Sequence, residues 1–190
     1  MQEIEIECKN LLTQAEFERL LTALPFPTEA QVQTNYYFET ADFQLKQHSS
    51  ALRIREKNGH FRLTLKEPHG DGLVETHDEL SEAETTNWLA GNPTSKQNTA
   101  ERLSNMGIDI NQLVYYGSLT TKRREFEQGG LLFVLDESNY GTKTDYELEI
   151  EAPDKASGQL AMQQILHDYH IAVKSTPNKI QRFFSVLRKH

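Results

Sequence analysis

Glu3-Ile4-Glu5-Ile6-Glu7-Cys8-Lys9 alternates charged and apolar residues from end to end. A period of two belongs to a β-strand, whose side chains point alternately to opposite faces. Glu3, Glu5, Glu7 and Lys9 then share one face, and Ile4, Ile6 and Cys8 the other. Successive carboxylates on such a face stand about 6.6 Å apart and repel one another unless cations lie among them. The charged face is either solvated or a metal site, and the later strands decide which.

Outward from this stretch, Thr13 and Glu16 form a capping-box pattern ahead of the helical stripe Phe17, Leu20, Leu21, Leu24, which Pro25 and Pro27 end. Val32 to Thr40 reads as a strand, whose run Tyr36-Tyr37-Phe38 suits packing, with ring or base stacking as the alternative. Asp42 to Gln47 is a short helix or turn. Leu52 to Glu56 and Phe61 to Glu67 flank Asn58-Gly59, a two-residue hairpin signal. Arg53 and Arg55 share a face of the first arm, and Arg62, Thr64 and Lys66 a face of the second. Pro68 to Gly72 reads as a mobile loop, and Leu73 to Leu80 as a strand with Glu75, His77 and Glu79 together.

Ser81 to Leu89, with a capping box at Ser81 and Glu84, and Thr99 to Met106 are short helices. Val114 to Gln128 is a long strand pattern with Ser118, Thr120, Lys122 and Arg124 on one face. Gly129-Gly130 turns it into Leu131 to Glu137, an apolar run in which Asp136 is the polar position. Tyr146 to Ala152 repeats the opening pattern with Glu147, Glu149 and Glu151. Asp154 to Tyr169 is helical, and a last helix after Pro177 carries Ile180, Phe183, Phe184 and Leu187 on its buried side, with Lys179 and Arg182 near its start. About eight strands, mostly joined as hairpins, predict an α+β fold, an eight-stranded antiparallel β-barrel with helices packed outside. The 190 residues fit a single domain, 1–190.

A net charge of −8 argues against nucleic acid as a partner, since such binding rests on lysine and arginine neutralising phosphates. The single cysteine, Cys8, excludes an intrachain disulfide and any multi-cysteine metal site, and a reducing compartment is expected. No stretch approaches the ~20 apolar residues of a membrane helix. The expectation is a cytoplasmic protein without a membrane partner, with a homodimer left open.

The charges are sorted by element. Carboxylates line the first strand, Leu73 to Leu80 and Tyr146 to Ala152; cations line the Asn58-Gly59 hairpin and the strand carrying Lys122 and Arg124. Exposed ion pairs contribute only ~0–1 kcal/mol each, so a solvated face gains little from such sorting. A lumen lined this way would hold a divalent metal on its acidic side and polyphosphate on its basic side. Glu5-Ile6-Glu7-Cys8-Lys9 resembles the N-terminal Glu-x-Glu-x-Lys signature of the CYTH superfamily, the triphosphate tunnel metalloenzymes. Arg53-x-Arg55, Lys66, Lys122-x-Arg124, Asp136, Glu149-x-Glu151 and Lys179 follow in that superfamily's order, so the resemblance runs from Glu5 to Lys179.

The resemblance implies an eight-stranded antiparallel tunnel. It implies that Lys9, Arg53, Arg55, Lys66, Lys122, Arg124 and Lys179 hold the phosphates of a small-molecule triphosphate. Glu5, Glu7, Asp136, Glu149 and Glu151, with Glu79 or else Glu75 from mid-chain, would hold Mg²⁺ or Mn²⁺ or orient water. Glu5, Glu7, Lys9, Lys66 and Arg124 are the implied catalytic set. Glu3 and Glu147 extend the two acidic ladders by a step, so the register of each metal-binding pair has an alternative. The implied activity is metal-dependent hydrolysis of tripolyphosphate or a small organic triphosphate. Its alternatives are cyclisation of ATP, as in the class IV adenylate cyclases, and a non-catalytic polyphosphate- or nucleotide-binding module.

Overall fold

A computed structural model describes residues 2–187. Among these, the strands are β1 Gln2–Glu5, β2 Glu7–Leu12, β3 Gln31–Thr40, β4 Ala51–Lys57, β5 His60–His69, β6 Gly72–Leu80, β7 Leu113–Gln128, β8 Leu131–Tyr140 and β9 Lys143–Glu151. The helices are α1 Gln14–Ala23, α2 Gln44–Gln47, α3 Glu82–Leu89, α4 Gln97–Asn105, α5 Lys155–Asp168 and α6 Lys179–Leu187. The sheet order is β1-β6-β5-β4-β3-β7-β8-β9-β2. The fold is α+β and antiparallel, as the hairpin pattern predicts, with nine strands in place of eight. The extra strand arises because the opening stretch divides at Ile6: β1 joins β6, whereas β2 pairs with β9.

The chain forms two compact units. One comprises the N-terminus through Ile4 and Gln33–Leu119; the other comprises Glu5–Val32 and the chain from Thr120 onward. In the first unit, Asn58 (φ 54°) and Gly59 (φ 76°) take the left-handed conformations that a tight hairpin turn needs, which fixes the β4–β5 register. That register buries Leu52, Ile54, Leu63 and Leu65 against Trp88 of α3 and Leu103 of α4. Phe38 packs edge-on against Trp88, so the aromatic run on β3 serves the core. Pro68 to Gly72 is not a mobile loop: β5 continues to His69, which pairs with Gly72, and Gly70 at φ 55° makes the chain reversal tight.

In the second unit, β2, β8 and β9 turn Leu12, Leu135, Leu148 and Ile150 toward Phe17 and Leu20 of α1 and Met162, Ile165 and Leu166 of α5. The opposite faces of these strands therefore carry the charged positions. Thr13 caps α1 and Ser81 caps α3, each in a complete capping box.

Candidate active site

In the second unit, period two sends Glu147, Glu149 and Glu151 of β9 to the side opposite Leu148 and Ile150. Antiparallel register sets Glu7 opposite Glu151, Lys9 opposite Glu149 and Asp136 opposite Glu147. Asp136, Glu147 and Glu149 are almost fully buried, at 0%, 1% and 5% exposure, so their charges must be paired. Arg123 of β7 grips both oxygens of Asp136, donating Nε to Oδ1 at 2.9 Å and Nη2 to Oδ2 at 2.6 Å; the same Nη2 donates to Glu149 Oε2 at 2.7 Å. Lys179, the first residue of α6, places Nζ 2.9 Å from Asp136 Oδ2 and 2.9 Å from Glu147 Oε2, and it also pairs with Glu149. Arg182, one turn on, donates to Glu147 Oε2 at 2.6 Å and Asp145 Oδ2 at 3.0 Å.

Burial alone would push Asp136 and Glu149 upward. Lys179 and then Arg123 outweigh it, holding both carboxyls below the ordinary range. Glu151 is different: burial first, then the neighbouring carboxylate of Glu5, raise it to about 7, with Glu149 and Glu7 adding to the effect and Arg123 opposing it. Glu5, Glu7 and Glu151 thus crowd negative charge, with Lys9 held by Glu7. The donor set is all carboxylate oxygen, and Glu147 Oε1 is buried without a hydrogen-bond partner. Such a set fits Mg²⁺ or Mn²⁺, which prefer oxygen, better than zinc.

The first unit gathers cations around one buried carboxylate. Glu75 pairs with Lys66, lies 3.7 Å from Arg53 Nη2 and 3.3 Å from His77 Nε2. Its burial opposes ionisation, but Arg53 and Lys66, with His77 behind them, bring it down to about 2. Arg55 Nε donates to Asn35 Oδ1 at 3.1 Å, and Arg53 Nε is buried with no hydrogen-bond partner. His77 bridges to Glu3 at 2.8 Å and to the Thr64 hydroxyl at 3.0 Å. Glu3, Glu75 and His77 bring one donor atom each within 4.8 Å of the others, which among the described residues is the only such group. Lys66 and Arg53 already neutralise Glu75 there, so a metal ion would meet two resident cations.

Four sequence-predicted placements need correction. Lys122 and Arg124 do not face the carboxylates: Lys122 is half exposed beside Glu137, and Arg124 donates to the Thr28 carbonyl at 3.3 Å. The residue between them, Arg123, takes that place. Phe126 sets this register, because it packs with Phe26 and Phe133, and period two then puts Lys122 and Arg124 on its apolar side. Phe126 was the available signal. Glu79 is exposed beside Arg62, so it is Glu75 that joins Arg53 and Lys66. Glu3 goes with His77 in the other unit and does not extend the Glu5–Glu7 ladder. Lys179 is partly buried among carboxylates, and Arg182, which the sequence placed near the helix start without a role, is buried among them too.

Comparison with known proteins covers nearly the whole chain. The sequence model of the CYTH domain matches residues 3–184. A Bacillus subtilis (strain 168) protein named "Putative triphosphatase YjbK" is 46% identical over 190 residues, spanning 99% of this chain and 98% of its own length. The crystal structure of a "putative adenylate cyclase" from Bacillus halodurans is 41% identical, covers 96% of this chain and 98% of its own, and superposes with a TM-score of 0.92. HpAC1 from Hippeastrum, an adenylyl cyclase by name with a dominant triphosphatase activity, is 26% identical with a TM-score of 0.77, covering 98% of this chain and 96% of its own.

Proposed function

The chain belongs to the CYTH family, and from that premise we propose that it is a divalent-metal-dependent triphosphatase, releasing the terminal phosphate of tripolyphosphate or a small organic triphosphate. The observation that carries the reading is the row of buried carboxylates on β8 and β9 interleaved with Lys9, Arg123 and Lys179. Glu5, Glu7, Glu149 and Glu151 would hold Mg²⁺ or Mn²⁺, with Asp136 behind them. When bound, the metal would supply positive charge to the phosphate oxygens. Lys9, Arg53, Arg55, Lys66 and Arg123 bind phosphate oxygens and offset the charge that develops on the transferred group; Arg53 Nε offers a buried donor for this. Catalysis of phosphoryl transfer is mostly positioning and charge stabilisation. Water attacks the terminal phosphorus, the bridging P–O bond breaks so that the rest of the polyphosphate leaves as an anion, and a carboxylate of the cluster that is not engaged by the metal accepts the proton of the attacking water.

We take residues 1–190 as one functional domain and the cytoplasm as its setting, in keeping with the free thiol of Cys8. The names of relatives support hydrolysis: YjbK is called a triphosphatase, and HpAC1 is a nominal cyclase whose dominant activity is triphosphatase. Cyclisation of ATP needs a base-binding surface, and the candidate aromatics are engaged elsewhere: Phe38 on Trp88 and Tyr36 through its hydroxyl to Glu56. Phosphate release from tripolyphosphate with and without Mn²⁺, together with product analysis after incubation with ATP, tests the assignment. Cyclic AMP as the main product would replace it.

A further inference from the structure

We propose that Arg62, together with Arg55, forms an outer anion subsite that takes a fourth phosphate, so that the substrate class extends to linear polyphosphates longer than tripolyphosphate. This rests on the phosphate-binding reading above and adds to it a residue and a chain length. Residues directly opposite one another in an antiparallel pair share a face. The β4–β5 pairing sets Arg53 opposite Thr64 and Arg55 opposite Arg62, and the β5–β6 pairing sets Lys66 opposite Glu75 and Arg62 opposite Glu79. Lys66, Arg53, Arg55 and Arg62 therefore make one row of cations on one face of the sheet.

The two ends of the row differ. At the inner end, Lys66 and Arg53 share the buried carboxylate of Glu75. At the end nearer the Asn58-Gly59 turn, two arginines stand directly opposite each other, an arrangement that costs stability unless negative charge comes between them. Arg55 Nε is directed by the buried amide of Asn35, which accepts its hydrogen bond at 3.1 Å and carries no charge. Arg62 meets Glu79 at 2.8 Å, but the two side chains are 54% and 65% exposed, and a pair so open to water is weakly held. A guanidinium has five donors in a fixed fork, so Arg62 can keep Nε on Glu79 and still present Nη groups to an incoming phosphate. Lys66 and Arg62 both lie on β5, about 13 Å apart along the strand, which exceeds the length of three linked phosphates. A triphosphate seated at Lys66 and Arg53 ends by Arg55, and the next phosphate falls between Arg55 and Arg62.

The test compares tripolyphosphate with tetrapolyphosphate. Calorimetric binding without metal, in the parent, Arg62→Gln, Glu79→Gln and Lys46→Gln, is paired with phosphate release from both compounds in the presence of Mn²⁺. Lys46 is an exposed residue of α2, outside the row, and its variant removes the same charge. The expected result is a parent that binds tetrapolyphosphate about tenfold more tightly than tripolyphosphate, the gain of one charge-assisted contact. Arg62→Gln should bring that ratio close to one, Lys46→Gln should keep it, and Glu79→Gln should widen it by releasing Arg62. Equal affinity for the two compounds in the parent would overturn the subsite and leave triphosphate hydrolysis standing. So would a ratio that survives in Arg62→Gln, stays unchanged in Glu79→Gln or falls equally in Lys46→Gln. The expected ratios with no phosphate release at any Mn²⁺ concentration would uphold the subsite and overturn the hydrolysis. No binding of either compound to the parent would refute the subsite and the phosphate role of the whole row.

Discussion

Arg123 and Lys122 are adjacent in sequence and opposite in consequence. Arg123 is the bidentate partner of a fully buried Asp136, whereas Lys122 is half exposed and meets Glu137 at 3.1 Å. Breaking a buried pair by removing one member leaves an uncompensated charge, so Arg123→Ala should lower stability by about 3–5 kcal/mol. Lys122→Ala should cost no more than ~1 kcal/mol. Urea unfolding of the two variants checks this, and equal losses would mean that the β7 register is the one read from the sequence. Glu151 supports a second prediction at this scale. Burial and Glu5 raise its carboxyl from the ordinary 4.5 to about 7, so below that pH a metal ion must displace a proton. Mn²⁺ affinity should therefore climb as pH rises toward about 7 and level off above it, and Glu151→Gln should flatten the climb. The same shift makes the metal-free protein lose stability between pH 4.5 and about 7, because the unfolded chain gives up this proton first.

At the scale of elements, the sequence was most readable where local chemistry decides the outcome. Thr13 with Glu16, Ser81 with Glu84 and Asn58-Gly59 each satisfy or turn the backbone through their own side chains or φ angles, and each feature stands where the pattern put it. Ser81→Ala removes the acceptor for the Glu84 amide and should cost about 0.5–2 kcal/mol, read from the shift of the urea midpoint. Legibility failed where tertiary packing chooses between equal alternatives. In the run Thr121-Lys122-Arg123-Arg124, both faces offer cations, and only the packing of Phe126 on Phe26 and Phe133 selects Arg123. Glu75 and Glu79 share a face of β6 and are told apart by burial beside Lys66. The ion pairs of Lys179 and Arg182 link α6 to strands more than thirty residues earlier, a relation that helical periodicity does not encode.

At the scale of the whole molecule, each unit has its own charge cluster. One holds Asp136, Glu147 and Glu149 with Lys9, Arg123 and Lys179, and the other holds Arg53 and Lys66 around Glu75, with Arg55 further along the strand of Arg53. The net charge of −8 leaves anion recognition to these local clusters. A ligand that binds only the folded chain raises its stability, so Mn²⁺ and a triphosphate should each contribute to the unfolding temperature. The proposed hydrolysis uses carboxylates to hold the metal and cations to hold phosphate. The most direct measurement is the rate of phosphate release from tripolyphosphate as Mn²⁺ is titrated, in the parent, Arg55→Ala and Glu7→Gln. The expected result is no release without metal, a rate in Arg55→Ala that stays low even at saturating Mn²⁺, and a Glu7→Gln curve displaced to higher Mn²⁺. Release that is independent of metal, or no release from any triphosphate at any Mn²⁺ concentration, would contradict it.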